Sequence, residues 1–162
     1  MNSFTAKTHT YTIGGVQVPS VSQVIAPLSD YSNVNPELLV RASEFGSNVH
    51  VMIKLWLDET LDEDALDPNL VPLLEAFRDW YFNGQFADVL KTKKVICEIP
   101  IYHQPLMYAG TPDIVIDGVA IIDIKTRKVD KTRDSLQLVA YKELHLQHGG
   151  IKANYKLIVL RL

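Results

Sequence analysis

The segment Gly118-Val119-Ala120-Ile121-Ile122-Asp123-Ile124-Lys125-Thr126 sets an acid and a base two residues apart inside an otherwise apolar run. On a β-strand Val119, Ile121, Asp123 and Lys125 share one face, and Ala120, Ile122 and Ile124 share the other. An unpaired charge in a buried strand is costly, so the pair must be compensated. Either the two neutralise each other, as a structural salt bridge or a gatekeeper at a sheet edge, or they face a metal ion and an anionic ligand. Asp113 lies on the preceding strand, and with Asp117-Gly118 as the intervening turn it comes side by side with Asp123. Two facing carboxylates repel, which favours a divalent cation held by oxygen ligands, Mg²⁺ or Mn²⁺. Lys125, one strand period beyond Asp123, points into the same site. Two acids, a metal and an ammonium around a water form an apparatus for phosphodiester hydrolysis. The metal would lower the pKa of the water and neutralise oxyanion charge, and the lysine would contact the scissile phosphate or the attacking water.

The elements that position these groups follow from periodicity. Residues 9 to 18 alternate around Gly14-Gly15, which predicts an N-terminal β-hairpin, and Ser20 can cap a short helix through Leu28. A long helix is predicted from Asn35 to Leu57, with Pro36 in its first turn and Leu38, Ala42, Phe45, Val49, Ile53 and Trp56 as one core-facing stripe. A loop and a second amphipathic helix, Asn69 to Phe82, follow. There Trp80-Tyr81-Phe82 is either core packing or a base-stacking platform. The period then changes from 3.6 to 2, with strands expected at Val95 to His103, Tyr108 to Ile116 and Val119 to Thr126. A helix from Lys131 to Gln147, ended by Gly149-Gly150, and a strand from Tyr155 to Leu160 close the order. Helix, three-strand meander, helix and strand imply an α/β layer with a mixed sheet.

With 162 residues and no linker, the chain is expected to form a single domain spanning 1–162. The lone Cys97 excludes an intramolecular disulfide and a four-cysteine iron–sulfur cluster, and points to a reducing compartment. No span approaches about 20 apolar residues, and the N-terminus lacks a charged region followed by an apolar one. The chain is therefore expected to be complete and cytoplasmic, with no membrane partner. Its net charge of −3 argues against a polyanion only superficially. Six acids (Asp58, Glu59, Asp62, Glu63, Asp64, Asp67) lie in one ten-residue stretch, leaving 16 basic against 13 acidic residues, or +3, elsewhere. The run Lys125, Arg127, Lys128, Lys131, Arg133 is interrupted by one acid, Asp130, and is either solvated surface or a phosphate-binding stripe. No Gly-x-x-x-x-Gly-Lys-Ser/Thr loop is present, so no nucleotide cofactor is expected.

Five segments in order carry a family resemblance: Val18-Pro19-Ser20-Val21-Ser22-Gln23-Val24-Ile25, Arg41 through His50, Gly110-Thr111-Pro112-Asp113, Asp123-Ile124-Lys125-Thr126, and Gln137-Leu138-Val139-Ala140-Tyr141. Together they resemble the PD-(D/E)XK nuclease superfamily, nearest its RecB-type branch of phage exonucleases and the mitochondrial genome maintenance exonuclease. The resemblance implies a restriction-endonuclease-like αβββαβ core, a central mixed β-sheet flanked by helices. It implies that His50, Asp113 and Asp123 are metal ligands, with the Ile124 carbonyl an additional one. Lys125 would be the catalytic lysine, and Gln137 and Tyr141 would position it or the DNA. Taken alone, His50 has the alternative reading of a partly buried, hydrogen-bonded histidine, and Gln137 and Tyr141 read as helix surface or core edge. Glu98 reads as a further carboxylate at the metal site or as a plain salt bridge. Arg127, Lys128, Lys131 and Arg133 would hold DNA phosphates without reading bases. The expected activity is metal-dependent DNA exonuclease cleavage of linear, end-bearing DNA, single strands included, in phage-type recombination, replication or repair. A structure- or site-specific endonuclease and a non-catalytic DNA-end-binding recombination protein are the alternatives. So small a core would depend on self-association or on a recombination or replication partner.

Overall fold

The computed structural model describes all 162 residues, apart from the side chain of Lys7. Gly14 and Gly15, at φ 59° and 85°, supply the left-handed turn that joins β2 (Thr10–Ile13) to β3 (Val16–Val18). An edge strand not foreseen from the sequence, β1 (Ser3–Thr5), pairs with β2, so the hairpin becomes a three-stranded sheet. Ser20 Oγ accepts from Gln23 N and Gln23 Oε1 accepts from Ser20 N, a reciprocal cap that starts α1 (Val21–Ile25). Asn35 caps α2 (Pro36–Leu57) by accepting from the Glu37 amide.

The apolar stripe of α2 meets the core only in its second half. Val49, Met52 and Ile53 are buried, but Leu38, Ala42 and Phe45 are exposed. A stripe is buried only where another surface reaches it, and α3 (Val71–Asn83) covers the C-terminal turns alone. A one-turn helix α4 (Ala87–Leu90) follows α3.

The first two predicted strands of the meander are each broken. Glu98 adopts φ 54° and Pro100 follows, dividing β4 (Val95–Cys97) from β5 (Ile101–His103). Pro112 likewise divides β6 (Tyr108–Gly110) from β7 (Ile114–Ile116). Proline has no N–H for a ladder, so each strand changes sheet at these points. The result is a two-stranded sheet, β5-β6, and a four-stranded sheet in the order β4-β7-β8-β9, with β8 at Ala120–Lys125 and β9 at Lys156–Arg161. β8 pairs antiparallel with β7 (Ile114↔Ile122) and parallel with β9 (Asp123↔Val159), so the central sheet is mixed. The parallel return is made by α5 (Lys131–Gln147), capped by Asp130, whose Oδ1 accepts from Arg133 N.

Alternation on β7 and β8 divides the core in two. Ile114, Ile116, Ile122 and Ile124 pack with Val49, Ile53, Leu74 and Phe77 of α2 and α3. Val115 and Ile121 pack with Leu138, Tyr141 and Leu144 of α5. The fold is thus α/β, with a central mixed sheet flanked by helices and an N-terminal hairpin-like sheet. Among the described residues no helix is long and apolar enough to cross a membrane.

Candidate metal centre

Three elements bring ligand atoms together. α2 presents His50 directly after the fully buried Val49, the break after β4 presents Glu98, and the residue before β7 is Asp113. One ligand atom from each lies within 4.8 Å of the others. His50 Nδ1 is 3.1 Å from Asp113 Oδ1 and 3.3 Å from Glu98 Oε1. The left-handed backbone at Glu98 is uncommon for a residue with a side chain, and it aims the carboxylate at His50. The Glu98 amide donates to the Asp113 carbonyl (3.2 Å), and Asp113 Oδ2 accepts from the Ile124 amide (2.6 Å). Both carboxylates are therefore anchored through their backbones or a second oxygen. Burial alone would lower the His50 pKa, but the adjoining Asp113 and Glu98 carboxylates outweigh it and raise it to about 10. An imidazolium proton thus occupies the space between two acids, where a cation is favoured.

Asp123 stands beside this trio but outside it. The register Ile114↔Ile122, carried one residue further, sets it opposite Asp113. It is 1% exposed, and neither carboxylate oxygen has a hydrogen-bond partner among the described residues. Lys125 Nζ is 2.6 Å from its Oδ2, an ion pair whose alignment does not make a hydrogen bond. Burial first, and then repulsion from Asp113, push the Asp123 pKa up to about 7, with Lys125 offsetting only part of this. A buried carboxylate that Lys125 compensates only in part, beside an acid-histidine cluster, is the donor chemistry that a hard divalent cation takes.

Lys125 is held from the other side. Its Nζ donates to Gln137 Oε1 (3.0 Å), and Gln137 Nε2 donates to the Tyr141 hydroxyl (3.0 Å). Gln137 and Tyr141 lie one helical turn apart on the face of α5 that packs on β8. Burial, then the nearby Asp113 and Asp123, raise the Tyr141 pKa well above its ordinary value, so its hydroxyl stays protonated.

The basic run is divided in its commitments. Arg127 forms a two-pronged ion pair with Asp134, which is fully buried, and Arg133 donates to the Tyr31 hydroxyl (2.7 Å). Lys128 and Lys131 are exposed and have no ion pair among the described residues. The sequence offered Asp130 as the one acid in this run; the acid that engages Arg127 lies one residue beyond its end. Trp80 and Tyr81 pack on Phe77, and Tyr81 also meets Trp56 edge-on, which makes them core, while Phe82 is 57% exposed. Above His50, a Cβ at Gly46 would meet Thr126 Oγ1 at 3.5 Å, an ordinary contact. The glycine therefore marks where α2 passes the end of β8 rather than a space only glycine can leave.

Two features were hidden in the sequence. The period-2 alternation sets Glu98 on a regular strand, although Pro100 two residues later signals the break that frees it. Tyr11 reaches Thr111 beside Asp113 (2.8 Å between oxygens), and no spacing rule connects residues so far apart. No family model matches the chain, and no match is found among curated proteins or among solved structures.

Proposed function

We propose that this chain is a metal-dependent DNA exonuclease of the PD-(D/E)XK type, acting in phage-type recombination, replication or repair. The observation that carries the reading is the convergence of His50, Glu98 and Asp113 beside the buried pair Asp123 and Lys125, from elements remote in sequence. The element order α2, β4, β7, β8, α5, β9 supports an αβββαβ core, into which α3, α4 and the β5-β6 pair are inserted. His50, Glu98 and Asp113 would hold Mg²⁺ or Mn²⁺, with Asp123 and the Ile124 carbonyl as further donors. When bound, the ion supplies a water of lowered pKa and neutralises charge on the phosphate.

The chain's own groups do the rest. Gln137 holds the Lys125 ammonium in place, and Tyr141 holds Gln137, so that the lysine is oriented toward the scissile phosphate. Lys128 and Lys131 contact backbone phosphates and carry no base specificity. Arg127 instead fixes the loop that presents them, through Asp134.

The test is incubation of end-labelled linear and closed circular DNA, single- and double-stranded, with Mg²⁺ or Mn²⁺. Linear DNA is degraded, EDTA stops the reaction, and Asp123→Asn or Lys125→Ala abolishes it. Cleavage that survives Lys125→Ala overturns the assignment. Equal digestion of closed circles identifies an endonuclease, and salt-sensitive retention of DNA ends without cleavage identifies a binding protein.

A further inference from the structure

The stretch Thr111-Pro112-Asp113 is the irregular junction where the chain leaves the β5-β6 pair and enters the four-stranded sheet. No strand pairing includes Thr111 or Pro112, and Asp113, held at its carbonyl by the Glu98 amide and at Oδ2 by the Ile124 amide, carries a ligand that must be placed to within a fraction of an ångström. The one hydrogen bond of Thr111 Oγ1 among the described residues is to the Tyr11 hydroxyl, at 2.8 Å. Tyr11 is 0% exposed and sits on β2, in the middle strand of the N-terminal sheet. Its hydroxyl is held on the other side by His9 Nε2 (3.1 Å), and its ring packs on Phe4 and, edge-on, on Tyr102. The same sheet is tied to β6 by the Ala109 amide, which donates to the Pro19 carbonyl (3.0 Å).

From this geometry we infer that Tyr11 is a positioning residue for the metal centre: through Thr111 it fixes Asp113, and the N-terminal sheet is the brace that holds Tyr11. The inference rests on the reading of His50, Glu98 and Asp113 as metal ligands. Tyr11 touches neither ligand atoms nor substrate. Its effect passes along a buried hydrogen bond into a two-residue link stiffened by Pro112, which restricts Thr111 as well. Groups behind metal ligands typically set affinity by 10- to 100-fold, and Tyr11 acts through one intermediate, so the lower end applies.

Direct Mn²⁺ binding, measured by titration calorimetry and by the loss of the free-ion paramagnetic resonance signal, tests this without recourse to cleavage. Tyr11→Phe and, from the other partner, Thr111→Val should each weaken Mn²⁺ binding about tenfold, and the double variant should be no weaker than either single one. Leu90→Ala, which loosens the other face of the central sheet and leaves the N-terminal sheet intact, should lower the melting temperature and leave Mn²⁺ affinity at the wild-type value. Wild-type affinity in both Tyr11→Phe and Thr111→Val overturns the inference while leaving the metal centre standing. Equal weakening in Leu90→Ala also overturns it, because general loosening then accounts for the effect. Absence of Mn²⁺ binding to the wild-type protein overturns the metal centre itself.

Discussion

Replacing Asp123 by Asn should stabilise the metal-free protein while removing its activity. In the unfolded chain this carboxyl titrates near its ordinary 3.8, and in the folded chain near 7. Between those values the folded state holds a proton that the unfolded state has lost. Stability therefore falls as pH rises through this window and levels off above pH 7. The difference is 7 − 3.8, or 3.2, and at about 1.4 kcal/mol each the ionised carboxylate costs on the order of 4 kcal/mol. That figure already includes the attraction to Lys125, so losing this ion pair is not an additional charge against the variant. Asn approximates the protonated acid at every pH. The variant should thus exceed wild type by about 4 kcal/mol in urea unfolding at pH 8 with EDTA, and by less than half of that at pH 5. In a chain of this size the pH 8 difference corresponds to about 10 °C in melting temperature. His50 titrates in both proteins, so the comparison isolates Asp123. Saturating Mn²⁺ should then reverse the ranking, since only wild type retains its full donor set. A variant no more stable than wild type at pH 8 in EDTA, or a difference that does not change with pH, refutes the buried-charge account of Asp123.

Mn²⁺ binding at pH 7.5 should release slightly more than one proton: His50, with a pKa of about 10, must give up its proton to become a ligand, and the fraction of Asp123 still protonated, with a pKa of about 7, adds a minor share. Calorimetry in two buffers of different ionisation enthalpy measures it, and release well below one proton removes His50 from the donor set. Gly110→Ala should destabilise the fold by about 1–3 kcal/mol, because a Cβ there would lie 2.8 Å from the Tyr141 ring and 3.0 Å from Val21; thermal unfolding and the rate of linear DNA cleavage should fall together. DNA retention should show a shallow salt slope of about −2 on a log–log plot, reflecting Lys128 and Lys131. Arg127→Ala should leave that slope unchanged while lowering stability by about 2–3 kcal/mol, since it strands the buried Asp134. A slope that falls on Arg127→Ala shows that this arginine meets phosphate after all.

Much of the site was legible because two short-range periods coincide there. The strand period sets Asp123 and Lys125 on one face of β8, and the helix period sets Gln137 and Tyr141 on one face of α5. Once the parallel return packs α5 on β8, those faces meet, as the Lys125–Gln137–Tyr141 chain does. The caps at Ser20 and Asn35 and the turns at Gly14-Gly15 and Asp117-Gly118 are local, and local chemistry specifies them. What spacing could not express was a change of sheet. A period-2 pattern from Val95 to His103 says nothing of a left-handed Glu98, and so hides one of the two carboxylates beside His50. The apolar stripe of α2 similarly reports which residues could be buried together. It does not report how far the covering surface extends, and Leu38 and Phe45 lie beyond it. Arg127 in a basic run looks like surface charge until Asp134, on the next element, draws it inward.

All four strands of the central sheet fall between Val95 and Arg161, whereas His50 and Tyr11 come from well upstream. A chain emerging from the ribosome N-terminus first therefore makes its histidine and its bracing tyrosine long before the strand that bears Asp123 and Lys125. No nascent fragment that lacks β8 holds the whole constellation, and β8 is not enclosed until α5 and β9 have followed it. The cluster of His50, Glu98 and Asp113 with Asp123 and Lys125 is thus assembled only as synthesis of this region nears completion. Peptides released early, or fragments left by proteolysis between α2 and β8, would lack it.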